Sequence, residues 1–349
     1  MTPSPARSLA ARTTLRVGGP AGDWIVVEDD DALVAEVLRC DAAGVPALLL
    51  GGGSNLLVAD AGFPGTVIDV STTGANVDEL ADGRVRVTLA AGEGWDDIVS
   101  RAVAHGWSGI EALSGIPGRV GATPIQNVGA YGQDVSQVIE SVRVLDRVSG
   151  AVIDMPASDC AFGYRSSIFK VEPDRWVVLG ITIVLHASGE GIVRYPELAR
   201  ELGIAPETSA PVAAVRGAVL ALRARKGMVL VADDPDTWSA GSFFTNPILD
   251  AEAAMSLPAE CPRFPSDQGI KVSAAWLIEH ADMGPGFALH PEAQAAISHR
   301  HALALTNRGS ATAADILDLA REVRRRVHEQ FGVVLTPEPT LVGCSLDGE

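Results

Sequence analysis

Two glycine-dense segments carry the residues whose types and spacing could do chemistry in this 349-residue chain. In Gly51-Gly52-Gly53-Ser54-Asn55, successive backbone N–H groups with little side chain in front of them form a nest that can hold a pyrophosphate. No Gly-Lys-Ser/Thr triplet follows, so this is not a phosphate loop of the Walker kind. Nor is it the dinucleotide fingerprint: the glycine spacing fails, and the following LLVADAGFPGTVID leads to another strand rather than a helix. Taken alone, a tight turn explains these five residues equally well. The second segment, LSGIPGRVGATPIQNVGAYGQDV at 113–135, holds glycines 115, 118, 121, 129 and 132 and prolines 117 and 124, with Arg119 and Asp134 as its only charges. It has neither helical nor strand periodicity. Ile116, Val120, Ile125, Val128 and Tyr131 make it too apolar for a disordered linker. It is expected to be an ordered, buried loop moulded around something flat or anionic. Glycine would permit positive φ and close backbone approach there, at about 0.5–1 kcal/mol each relative to alanine. Together the two segments point to one dinucleotide held from two sides.

A third candidate is the cationic trio Arg223, Arg225 and Lys226, which could meet an anionic ligand. A solvated helix end is the plainer reading, since cations at a helix C-terminus suit the macrodipole whatever the function. The formal net charge of −17 excludes a general nucleic-acid binder, which needs a basic surface. Cysteines 40, 160, 261 and 344 form no CxxC pair and no metal-ligand spacing, so reduced thiols, no metal and a cytoplasmic setting are expected. The first residues, MTPSPARSLAARTTLRVGG, lack the apolar centre of a secretory signal. The longest apolar run, 176–185, is far short of the ~20 residues that span a membrane.

The elements that must position these groups follow from local pattern. A helix is expected at 30–43, with aspartates at its start, Leu33, Val34, Val37 and Leu38 on one face and Gly44 as its stop. Helices are also expected at 95–105, 211–225, 274–280 and 313–331, the last with Ile316, Leu317, Ala320, Val323, Val327 and Phe331 on one side. Buried strands are expected at 46–50, 66–70 and 176–186, an alternating strand at 84–90, a hairpin of 141–145 with 151–155 around Ser149-Gly150, and a strand at 302–306, while 333–335 leads into TPEPTLVG. Strands and helices mix without strict βαβ alternation, so the fold class is α+β. The acidic VADDPDTW at 231–238 marks a candidate domain boundary.

Longer segments carry a specific resemblance. LGGGSNLLV (50–58), IEALSGIPGRVGATPIQNVGAYG (110–132), FGYRSSIFK (162–170), AGSFFTNP (240–247), AAWLIEHA (274–281), HALALTN (301–307) and TPEPTLVG (336–343) run through nearly the whole chain. In composition and order they resemble the UDP-N-acetylenolpyruvoylglucosamine reductase family, flavoenzymes of peptidoglycan synthesis, and within it the longer type with a substrate-closing tyrosine loop. The resemblance implies an FAD-binding domain of the vanillyl-alcohol-oxidase (PCMH) type at 1–228, with two α/β subdomains at about 1–73 and 74–228. A C-terminal α+β substrate-binding domain at 229–349 would follow.

It also implies roles. Gly51, Gly52, Gly53, Ser54 and Asn55 would line the FAD pyrophosphate, while Pro117, Gly118, Gly121, Ala122, Gln126, Asn127, Gly129 and Ala130 would bracket pyrophosphate and isoalloxazine. NADPH would reduce the FAD, and hydride would pass from flavin N5 to the vinyl carbon of the enolpyruvyl ether. Arg165 and Glu338, the latter as a protonated acid, would stabilise the resulting enolate. Ser242 would protonate the adjacent carbon. Tyr164, Tyr195, Lys226 and Asn246 would contact substrate; no GxSxG setting surrounds Ser242, which removes a serine hydrolase. His299 and His301 are read as structural histidines. The chain departs from the family pattern at 227–237, where a proline-containing segment is replaced, and at 281–300, which is longer than usual. The enzyme is expected to be a monomer that inserts into no membrane. Two rivals remain at this level, an FAD oxidase of sugars or alcohols and a UDP-sugar sensor without catalysis.

Overall fold

The apolar Trp176–His186 run is the middle strand of a five-stranded antiparallel sheet in a computed structural model that describes residues 8–347. Its neighbours are Ile139–Asp146, then Ala151–Pro156, on one side and Arg84–Ala90, then Ala75–Glu79, on the other. The run is apolar throughout because both faces are covered. Val177 and Leu179 enter a core with Leu33, Val37 and Ile68. Val178, Ile181, Ile183 and Leu185 enter another with Trp95, Ile98 and Val120. The inward positions change parity because pairing with Ile139–Asp146 slips between Val178 and Gly180, which makes Leu179 an extra residue. Gly180 is required at this slip, since a Cβ there would lie 2.6 Å from the Leu89 carbonyl oxygen.

The described residues divide into two compact units, and the sheet belongs to the one formed by 22–52 and 64–224. In the same unit Phe63–Val70 lies between Ala21–Val27 and Ala47–Leu50, parallel to the latter. The Asp30–Ala43 helix starts where the Asp29 carboxylate accepts from the Ala32 amide and stops at left-handed Gly44. The 113–135 segment has no long element, only short 3-10 turns and the two-residue strands Gly129–Ala130 and Gln133–Asp134. It is ordered and mostly inward: Leu113, Val120 and Asn127 are buried, although Ile125 is exposed.

Charged groups fix the start of that loop. The Gly115 amide donates to Asp96 Oδ1 at 2.6 Å, and the Gly115 carbonyl accepts from Arg223 Nε at 3.2 Å. Arg216 closes the other side of Asp96 with a two-pronged contact of 2.6 and 2.9 Å. Arg223 is therefore neither a solvated helix end nor a free anion receptor. It is buried, and desolvation pulls its guanidinium below its ordinary value. Burial pushes the Asp96 carboxyl up, but hydrogen bonds from Arg216 and the Gly115 amide, with the charges of Arg216 and Arg223, bring it below the usual carboxylate range overall. A carboxyl depressed in the folded state stabilises fully above its unfolded value of about 3.9 and loses that contribution as pH falls through the folded value. Asp96→Asn is expected to cost about 1 kcal/mol at neutral pH, discounted for partial exposure. Thermal unfolding checks this, and the gap from the parent protein should close in acid.

The other unit, which among the described residues comprises 8–21, 53–63 and 225–347, has its own core. The Ala313–Phe331 helix buries Ile316, Leu317, Leu319, Ala320, Val323 and Val327 against Leu277, Ile278, Ile297 and Leu305. Each such aliphatic burial is worth about 1.5–3 kcal/mol before ordering costs. A Thr312–Asp315 capping box starts the helix, and the Asp60 carboxylate accepts from the Ala313 and Ala314 amides at 2.8 and 3.0 Å. Ala295–Ile297 and Leu305–Asn307 form a hairpin, and Thr340–Val342 pairs in parallel with Leu56–Val58. One strand expectation needs correction. Residues 302–304 turn, with the Ala304 amide bonded to the His301 carbonyl, so the strand begins at Leu305. Residues 333–335 lie between elements, with Leu335 buried. The α+β reading holds, and among the described residues no helix is long and apolar enough to cross a membrane. The four cysteines are free.

Candidate functional site

The two glycine segments meet backbone to backbone. A Cβ on Gly52 would lie 2.6 Å from Gly118 Cα, and one on Gly51 would lie 3.6 Å from Arg119 Cβ. Gly121 is likewise forced by packing, its Cβ position being 2.6 Å from that of Ala91. In the 3-10 turn of Val120–Ala122, Val120 and Gly121 donate to the carbonyls of Glu93 and Ala91, leaving Ala122 exposed. Pro117 precedes Gly118, whose carbonyl accepts from the Trp95 amide at 3.1 Å. Much of the glycine content thus serves close approach of protein to protein.

Around Arg165 the chain adopts backbone that side chains rarely occupy. Arg165 has φ 51°, Asn127 φ 45° and Tyr131 φ 49°. Each such left-handed residue costs of order 1–3 kcal/mol and persists only where its surroundings hold it. Here they do. Arg165 Nη2 donates to the Gly129 carbonyl at 2.5 Å, and Asn127 Nδ2 donates to the Gly163 carbonyl at 3.1 Å. The Asn127 Oδ1 accepts from the Ser136 amide, and Ser167 Oγ donates to Ile125 O, next to half-buried Gln126. The Tyr164 ring lies 5.4 Å from the Arg165 guanidinium carbon. Arg165, Tyr164, Asn127, Gly129 and the adjoining Ala130 therefore form one cluster. Tyr195 begins the Pro196–Leu202 helix and sets its ring edge-on to Tyr131, centroids 5.6 Å apart. Burial pushes its hydroxyl above the ordinary tyrosine value, with Glu197 adding to the effect.

In the unit that holds Ser242, a backbone ladder gathers a second cluster. The Phe243 amide donates to Leu303 O at 2.7 Å, and Phe243 O accepts from the Glu338 amide at 2.8 Å. Asn55 Nδ2 donates to Glu338 O at 3.3 Å, and Asn55 O accepts from the Thr340 amide. Ser242, Glu338 and Asn55 are thereby neighbours along three chain segments. Ser242 Oγ lies 3.3 Å from His301 Nε2, which brings His301 beside this cluster. His299 is different: its exposed ring meets Arg308, and its amide donates to Asp236. Nothing local marks His301, because 59 residues separate it from Ser242 and only the hairpin joins them. Asn246 uses its Oδ1 to accept from the Ala274 amide at a helix start, and Lys226 is half-buried just after the Val212–Arg225 helix.

Residues 24–155 match an FAD binding domain model, and residues 233–342 match the model of the UDP-N-acetylenolpyruvoylglucosamine reductase C-terminal domain. UDP-N-acetylenolpyruvoylglucosamine reductase of Cutibacterium acnes is 50% identical over 340 residues, covering 97% of this chain and 90% of that protein. The reductase of Thermobifida fusca is 51% identical over 360 residues, covering 99% and 100%. The chain belongs to the UDP-N-acetylenolpyruvoylglucosamine reductase family. A crystal structure of the family's enzyme from Thermus caldophilus aligns with a TM-score of 0.63 at 27% identity, over 96% of this chain and 97% of that one. The protein is accordingly an oxidoreductase of cell-wall synthesis, with an FAD-binding domain of the PCMH type followed by the family's C-terminal domain. FAD is its cofactor. The local geometry fits that group. Among the described residues the amides of Gly52 and Gly53 donate to no protein group, although Gly53 is buried. Buried amides of this kind are rarely left unpaired, and a nest of them suits a diphosphate.

Proposed function

We propose that the chain catalyses NADPH-dependent reduction of the enolpyruvyl ether of UDP-N-acetylglucosamine to UDP-N-acetylmuramate, in the cytoplasm, for peptidoglycan. What carries the reading is the ladder through Phe243 that holds Ser242 beside Glu338, in a chain whose relatives bear the reductase name over nearly their full length. Residues 51–55 would hold FAD together with Pro117, Gly118, Gly121, Ala122, Gln126, Asn127, Gly129 and Ala130. We assign 1–228 to the FAD-binding domain, with subdomains near 1–73 and 74–228, and 229–349 to the domain that takes substrate. When bound, FAD supplies the hydride, received from NADPH, that reduces the vinyl carbon.

The remaining work falls to side chains. Arg165 meets the substrate carboxylate, where negative charge grows as the double bond is reduced; its permanent charge and planar fork suit a carboxylate. The carbonyls of Gly129 and Asn127 aim that fork from behind. Glu338 donates a hydrogen bond to the enolate oxygen, and Ser242 gives its hydroxyl proton to the adjacent carbon. Tyr164, Tyr195, Lys226 and Asn246 contact substrate. Visible absorbance tests the whole reading. The purified protein should be yellow, should bleach with NADPH and should regain colour with the enolpyruvyl substrate. A protein that cannot be reconstituted with FAD, or that bleaches with a sugar or alcohol and no NADPH, overturns it.

A further inference from the structure

Serine is a weak acid, so a serine that protonates carbon needs its hydroxyl aimed and its oxygen supported as the proton leaves. The structure offers one side chain for both tasks. His301 Nε2 lies 3.3 Å from Ser242 Oγ. The histidine sits in the turn joining Ala295–Ile297 to Leu305–Asn307, and that turn is fixed at several points. Its His301 carbonyl accepts from the Ala304 amide, and the Ala304 carbonyl accepts from the Ser298 amide at 2.8 Å. Leu303, within the same turn, accepts from the amide of Phe243, the residue after Ser242. The buried Asp236 carboxylate staples the near side of the turn, accepting from Ser298 Oγ and the His299 amide at 3.0 Å each and from Arg308 Nη1 at 2.6 Å. Imidazole and hydroxyl are therefore held on one framework.

We propose that His301 is a positioning residue that donates from Nε2–H to Ser242 Oγ, turning the hydroxyl proton toward substrate and stabilising the oxygen as that proton departs. The inference rests on the reading of Ser242 as proton donor. In the step, the Ser242 O–H bond breaks and a C–H bond forms at the substrate carbon beside the new hydride. The negative charge passes to Oγ, where the His301 hydrogen bond meets it, and water then returns a proton to Oγ. An oxygen that gains charge during the step gains most from a fixed donor, so the contact acts on turnover rather than on substrate binding. This role requires the proton of neutral His301 to sit on Nε2.

The test uses the FAD-loaded enzyme with two substitutions, His301→Leu, which removes the donor, and His301→Gln, which keeps an N–H at comparable reach. The Leu variant should lose about 10–100-fold in kcat, consistent with loss of one preorganised donor, with KM unchanged. Its rate of bleaching by NADPH should match the parent enzyme, and its solvent deuterium isotope effect should rise. The Gln variant should recover much of the loss. Equal losses in Leu and Gln, a parallel fall in bleaching rate, or normal turnover in Leu overturns the proposal. Failure of the parent enzyme to reduce the enolpyruvyl substrate would overturn the functional reading instead. Nitrogen NMR of the imidazole then decides the His301 geometry without turnover: an Nε2–H signal that shifts in Ser242→Ala supports it, and an Nδ1–H tautomer refutes it.

Discussion

Glu338→Gln is expected to lower kcat by about 10²–10³, or about 2.7–4 kcal/mol of lost transition-state stabilisation, with a much smaller change in KM. The substitution is nearly isosteric, and the structure explains why its effect should be read from the side chain. The Glu338 amide donates to Phe243 O at 2.8 Å, and its carbonyl accepts from Asn55 Nδ2 at 3.3 Å. Buried Pro339 follows, and then the Thr340–Val342 strand docks on Leu56–Val58. All of these ties are main-chain or distant, so the variant should keep its fold and its yellow colour. What changes is the acid. A carboxyl donor shares its proton increasingly as charge grows on the enolate oxygen, whereas an amide donor does not. An interaction that strengthens only in the transition state appears in kcat, while one equally strong in the ground state appears in KM. Steady-state kinetics with the enolpyruvyl substrate separates the two. Near-normal turnover would remove Glu338 from the chemistry.

The elements legible in the sequence are those whose signals are local. The Asp30–Ala43 and Ala313–Phe331 helices carry their own caps and glycine stops, and Arg84–Ala90 carries its own alternation. The Trp176–His186 strand was readable as buried, but the slip at Leu179 was not, since it exists only in the pairing with Ile139–Asp146. Distance in sequence hides the rest. Asp60 caps a helix 253 residues away, and Arg223 reads as a surface cation until Gly115, 108 residues earlier, folds onto it. Within the 113–135 loop, order was legible from composition, but the reason for individual glycines was not. Gly52 is needed by Gly118 and Gly121 by Ala91. The proposed reacting residues carry little local signal of their own. Arg165 gains meaning from a left-handed backbone held by Asn127 and Gly129, and His301 from a hairpin that returns it to Ser242.

Ser242→Ala is expected to leave bleaching by NADPH intact while lowering product formation by about 10²–10⁴, the range for loss of a positioned proton donor. The change removes one oxygen from a half-buried side chain whose hydroxyl lies 3.3 Å from His301 Nε2. The backbone on either side is anchored independently. Phe243 keeps its bonds to Leu303 and Glu338, and the Phe243 and Phe244 rings remain in the core with centroids 5.1 Å apart. Collapse of the site is therefore not expected, and the thermal midpoint should scarcely move. The large effect follows from chemistry rather than from bond count. Serine is far too weak an acid to be chosen for its pKa, so its value lies in being fixed next to a strongly basic carbon. Water admitted in its place lacks that fixed orientation and has to be ordered at each turnover. Rapid-mixing absorbance resolves reduction by NADPH from reoxidation by substrate, and product assay gives the overall rate. If both half-reactions fall together, Ser242 is a structural residue, and the assignment of proton donor passes from it.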